Sequence, residues 1–172
     1  SSENTLSGSL INGPLWQSGV FGNALQFDGI NDRVDCGSDP ALDMGKGDFS
    51  ISTWVKMGSS QVSYPTLISK GGSNNTNAGL WLYVSSNGLK LNFSDGTSRI
   101  AASSASVNIM DDTWHHVAIS IDRDGNAIFY VDGVNQGSSD VSSFSGKDIS
   151  NLTRTFTIGS LGTSSSTLFK GK

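Results

Sequence analysis

The stretch Thr113–Val134, TWHHVAISIDRDGNAIFYVDGV, decides the fold class. Within it His115, Val117, Ile119 and Ile121 alternate with Trp114, His116, Ala118 and Ser120, the two-residue period of a strand with unlike faces. Asp122-Arg123-Asp124-Gly125-Asn126 follows, and its Asp-Gly step is expected to supply the positive φ of a tight hairpin turn. Ala127–Val131 then runs back, ending in a second turn signal at Asp132-Gly133. Two adjacent antiparallel strands of this kind belong at the centre of a sheet.

Working outward, the same alternation recurs. Phe49, Ile51, Thr53 and Val55 face one way, with Ser50, Ser52, Trp54 and Lys56 on the other. Leu80–Val84 and Leu89–Phe93 read as a hairpin closed by Asn87-Gly88. Leu25 and Phe27 point inward from a strand near the N-terminus, and Thr66–Ser69 and Thr155–Gly159 are short strands. Gly71–Gly79, reading GGSNNTNAG, is a loop; Arg99–Asn108 is weakly patterned, and Asn135–Arg154 is expected to be mostly loop. No stretch carries helical spacing over three turns. Many short strands with Gly or Asn at the turns predict an all-β, two-sheet antiparallel sandwich.

At 172 residues the chain is expected to form one domain, 1–172, large enough to bury a core without staples. Charged residues are only 15%, against disorder or a coiled coil. A net charge of -4 and a pI near 4.9, with no Lys/Arg block, argue against nucleic acid as a partner. Cys36 is the lone cysteine, so no intramolecular disulfide forms. No apolar run reaches the length of a membrane span and no signal peptide precedes Ser1, so no membrane insertion is expected.

The order of motifs FGNALQFDGINDRVDCG (Phe21–Gly37), DFSISTWVK (Asp48–Lys56), LISKGG (Leu67–Gly72), TWHHVAISID (Thr113–Asp122), AIFYVDGV (Ala127–Val134) and FTIGS (Phe156–Ser160) resembles the laminin-G-like jelly roll of the concanavalin A-like lectin/glucanase superfamily. The resemblance covers nearly the whole chain and implies two packed antiparallel sheets. It also implies a non-catalytic glycan-binding or adhesion module, secreted or at a cell surface, within a larger multidomain bacterial polypeptide. Members of the family continue past the FTIGS-like strand into a closing strand. Here the sequence ends at Phe169-Lys170-Gly171-Lys172, so the sandwich is expected to lack its final C-terminal strand, or to take it from a partner chain.

Catalysis is not expected. Glucanases on this fold need two carboxylates on one strand, yet Glu3 is the single glutamate, in the N-terminal tail. Lyases of this fold use His, Tyr, Arg and Gln together, whereas His115 and His116 point to opposite faces. One imidazole is expected inward in a structural role, and the pair makes no zinc site. Asp122, Asp124 and Asn126 mimic the start of an EF-hand loop without its twelfth-position Glu.

Asp28, Asn31 and Asp32 form an oxygen-rich turn, FDGIND. The resemblance implies a structural calcium near it; the plain alternative is a β-turn built on Asp and Asn chemistry. Trp81 and Tyr83 alternate with Leu80, Leu82 and Val84 and are expected on the face away from the core. Lys90 and Asn92 share that face, and Tyr64 sits in a loop at its rim. Such rings stack on the apolar face of a pyranose while amides and amines hold its hydroxyls. Trp81 packed under loops is an equal alternative, and Trp54 and Trp114 are read as structural. The expected function is binding of a polysaccharide or glycan; the alternative is a structural or protein-binding adhesion spacer.

Overall fold

A computed structural model of the chain describes residues 6–85 and 88–172. Among the described residues fourteen strands appear in chain order: β1 Ser9–Ile11, β2 Leu15–Ser18, β3 Asn23–Asp28, β4 Arg33–Asp35, β5 Phe49–Lys56, β6 Thr66–Lys70, β7 Gly79–Ser85, β8 Gly88–Ser94, β9 Arg99–Ser103, β10 Trp114–Ile121, β11 Asn126–Val131, β12 Val134–Asp140, β13 Thr157–Ile158 and β14 Lys170–Gly171. Two single-turn 3₁₀ segments, Pro40–Leu42 and Ser142–Phe144, are the helical elements of the described residues. No helix among them is long and apolar enough to cross a membrane.

β10 and β11 pair in register from Val117↔Val131 to Ile121↔Ala127, and β5 lies on the other side of β10. The hairpin is thus the centre of a four-stranded sheet, β12-β11-β10-β5. Its two turns differ. Asp132 and Gly133 both have positive φ, 52° and 78°, the mirror-image two-residue turn whose twist suits flanking strands. Gly125, by contrast, is not at positive φ, correcting the expectation for the first turn. That turn is closed by Asp122 instead: its carbonyl accepts from Gly125 N and its Oδ1 from Asp124 N.

The opposing sheet has seven strands, β1-β4-β13-β6-β7-β8-β9. Leu80, Leu82, Val84, Leu89, Leu91 and Phe93 project from β7 and β8 onto Val117, Ile119, Ile121, Ala127, Phe129 and Val131 of β10 and β11. All are buried, and their removal from water at about 25 cal/mol per Å² of apolar surface is the main term holding the sheets together. The remaining strands form a third group, β14-β3-β2. Lys172 joins it to the four-stranded sheet, because its main-chain N and O both bond to Lys56 of β5, at 2.9 and 2.8 Å. At the opposite flank β12 and β9 are stitched: Ser139 Oγ accepts from Ser103 N and donates to Ser103 O.

The expected loop over residues 135–154 begins as a strand. β12, VNQGSSD, has little buried surface on either side, so it carries no alternation; its main chain pairs with β11 regardless. β9 likewise emerges from weakly patterned sequence as the edge beside β8. The hairpin of β7 and β8 has the expected register, Ser85↔Gly88, with Ser86 and Asn87 outside the described residues. Glu3 lies outside them too.

Candidate functional site

The alternation of β7 sends Leu80, Leu82 and Val84 inward and Trp81 and Tyr83 outward, and pairing with β8 places Asn92 opposite Trp81 and Lys90 opposite Tyr83. Tyr64 arrives from the loop before β6. Its ring meets Trp81 edge-on at 6.4 Å and Tyr83 at 5.8 Å, and half of Tyr64 is solvent-exposed. Trp81 and Tyr83 stack on each other at 4.1 Å with 23° between planes, and Trp81 Nε1 donates to Thr66 Oγ1 at 2.9 Å. Burial pushes the Tyr83 hydroxyl pKa up, opposed by a hydrogen bond from Asn92 and the charge of Arg99.

The five residues expected at this face do converge, with one correction. Asn92 is only 3% exposed, so it lies under the rings and holds Tyr83 instead of standing beside them at the surface. The exposed ring is that of Tyr64, with the Trp81–Tyr83 stack as its wall and half-buried Lys90 alongside. A cavity of about 320 Å³ adjoins it, lined by Ser59, Gln61, Ser63, Tyr64 and Ser85 together with the apolar Val62, Pro65 and Met110. A flat apolar ring, an ammonium and small hydroxyl side chains suit an uncharged or acidic polyol.

In the FDGIND turn, Asp28 Oδ1 accepts from Ile30 N at 2.7 Å and Asn31 N at 3.3 Å, and Asp32 Oδ2 accepts from Asp28 N at 2.9 Å. The Ile30 main-chain bond, with those of Asn31 and Asp32, holds the Asp28 carboxyl below the usual range, while burial and the charge of Asp28 raise that of Asp32. The turn's own hydrogen bonds therefore account for its residue types. Asp28 and Asp32 would each have one oxygen left for a cation, and no third acidic, His or Cys side chain gathers there among the described residues.

His115 is clamped: Nδ1 lies 2.7 Å from Asp132 Oδ2, and Nε2 lies 3.1 Å from Asp111 Oδ1 and 3.0 Å from Thr113 Oγ1. Burial opposes its charge, but the hydrogen bonds and charges of Asp132 and Asp111 outweigh it and raise the His115 pKa. The Thr113 hydroxyl, followed by His115, holds Asp111 down at about 2. This is the structural histidine; His116 lies on the other face, against Trp54. Trp54, on the face of β5 that it shares with Ser50 and Ser52, is exposed and edge-on to the exposed Phe21.

Two buried charges had no sequence signal. Arg123, 1% exposed, lies over the Phe93 ring at 5.2 Å and donates through Nη2 to the carbonyls of Phe144 and Lys147. Lys70 pairs with Asp43 at 3.1 Å, with both side chains nearly shut from water.

A family model described as the concanavalin A-like lectin/glucanases superfamily, of laminin-G type, matches residues 28–172. The chain belongs to this superfamily. Solved structures agree on the laminin-G-like fold. The binding domain of Paraclostridial Mosquitocidal Protein 1 aligns with a TM-score of 0.72 at 15% identity, over 96% of this chain and 42% of that one. Domains LG4-5 of the mouse laminin alpha1 chain align at 0.53 and 16%, over 76% and 34%. A botulinum neurotoxin type C structure, titled for cell entry dependent on two ganglioside molecules, aligns at 0.55 and 19%, over 88% and 36%. The laminin-G-like chain thus spans well under half the length of each. No curated protein matches it by sequence.

Proposed function

We propose that this domain is a non-catalytic carbohydrate-binding module of a secreted or cell-surface protein, acting within a larger polypeptide. The observation that carries the reading is the convergence of Tyr64, Trp81 and Tyr83 beside Lys90 on the outer face of the seven-stranded sheet. In this reading the sugar ring lies on Tyr64, against the Trp81–Tyr83 wall, and Lys90 holds a hydroxyl or carboxylate. Each site binds weakly, because hydroxyls exchange water bonds for protein bonds at small net gain. Structural neighbours titled as binding domains, and one titled for ganglioside interaction, are consistent with it. A second reading, a structural or protein-adhesive spacer, is favoured by the Trp81–Tyr83 stack, in which each ring covers the other. A structural calcium at Asp28 and Asp32, with the Asn31 amide, is part of the proposal.

Affinity electrophoresis against a panel of polysaccharides, with calcium and then with chelator, tests these. Retardation by at least one polymer is expected, weakened about tenfold or more by Tyr64→Ala, the loss of one ring contact of about 1.4 kcal/mol. Retardation by none, in folded protein, favours the spacer. Chelator is expected to lower the thermal midpoint, and Asp32→Asn to remove that sensitivity; a midpoint indifferent to chelator sinks the calcium.

A further inference from the structure

The chain is acidic overall, yet its carboxylates avoid one face. Of fifteen acidic side chains, Asp95 alone falls between Met57 and Met110, the span that supplies β6 to β9 and the loop carrying Tyr64. Asp95 sits in the turn after β8 with both oxygens engaged. Oδ1 accepts from the main-chain N–H groups of Thr97 and Ser98, and Oδ2 from the Ser98 hydroxyl, with Lys147 at 3.3 Å. The cations of the same span are Lys70, Lys90 and Arg99. Lys70 is buried against Asp43, whereas Lys90 and Arg99 pair with no carboxylate among the described residues.

Pairing of β8 with β9 puts these two cations on the aromatic face: Lys90 stands opposite Ser103, Asn92 opposite Ala101 and Ser94 opposite Arg99. They are four residues apart along the strands and one strand across, about 14 Å between backbones. Exposed Ala101 leaves the ground between them open. Lys90 lies beside Tyr83. Arg99 donates through Nη1 to the Ser73 carbonyl at 2.9 Å and is near enough for its charge to act on the Tyr83 hydroxyl. Asn92 bonds to the oxygen of that hydroxyl, which leaves its proton to donate.

We infer that this face takes an acidic polysaccharide, with a sugar ring on Tyr64 and acidic groups of two different units held by Lys90 and Arg99. The inference rests on the carbohydrate-binding reading above and adds the sign of the ligand's charge. The separation is too wide for one carboxylate or sulfate to bridge, so it matches charges repeated along a chain. An unpaired ammonium and guanidinium attract such groups against little opposing field, because β6 to β9 carry no carboxylate. A neutral polymer would leave both cations merely solvated.

Affinity electrophoresis against paired polymers tests this: polygalacturonate beside its methyl ester, and dextran sulfate beside dextran, so that carboxylate and sulfate recognition are separated. Retardation by at least one acidic polymer is expected, about tenfold or more above that by its neutral partner and falling as salt is added. Lys90→Gln and Arg99→Gln should each weaken it about threefold to tenfold. Arg154→Gln, which removes an exposed cation elsewhere, should leave it unchanged. Short oligomers of the retarding polymer should compete and its monomer should not. Equal retardation by a neutral polymer and its acidic partner would overturn the charge preference while carbohydrate binding stood. Retardation by none of these or of the wider panel would sink both. Equal retardation by polyglutamate would show attraction to any polyanion and overturn the glycan. Acidic retardation indifferent to both Lys90→Gln and Arg99→Gln would overturn the assignment to this face.

Discussion

At the scale of single residues, buried or clamped charges give the sharpest tests. His115 stands between Asp111 and Asp132, and its pKa is raised in the folded protein. A raised basic group stabilises the fold fully below its unfolded value, about 6.5, and that stabilisation fades as pH rises through the folded value. The wild-type thermal midpoint should thus exceed that of His115→Gln by about 1–3 °C more at pH 5.5 than at pH 8.5. A difference independent of pH would show that the imidazole works by shape alone. Single residues are also where sequence reading falls shortest. Arg123 reads as a solvated turn residue between two aspartates, yet the loop around Phe144 and Lys147 folds over it and supplies carbonyls from more than twenty positions away. Nothing local announces a partner that distant.

At the scale of elements, strands with one wet and one dry face were readable and strands without that contrast were not. β5, β7, β10 and β11 alternate because one side meets the core, and β8 alternates in residue type although all of it but Lys90 is buried. β12 meets it hardly at all, so its polar sequence looks like loop while its main chain completes a ladder. The aromatic face followed from the same alternation, with Asn92 misjudged because pairing says which side a residue takes and not what covers it. Loops are anchored by means the pattern does not contain. Lys70, at the end of β6, binds Asp43 and the Asp39 carbonyl, tying residues 39–43 to the sheet. Asp43→Ala would leave an unpaired buried ammonium, at a cost of about 3–5 kcal/mol. That corresponds to a midpoint lower by about 6–20 °C in a chain of this size. A much smaller loss would mean that water reaches Lys70 once its partner is gone.

At the scale of the whole molecule, the ordered set of motifs pointed to the architecture, and the fold and family agree with it. The distribution of closure around the barrel-like perimeter was not foreseen. Where β9 meets β12, Ser103 and Ser139 hold the two sheets together and leave little free ladder. On the other flank lie the edge strands β1 and β2 and the exposed rings of Trp16 and Phe21. Among the described residues these free strand edges and rings thus gather on one flank. An object with a single sticky side pairs and then stops, because each contact consumes the surface that the next would need. Concentrated solutions should accumulate dimers, visible by light scattering, and not the growing fibrils that two free edges on opposite flanks would nucleate.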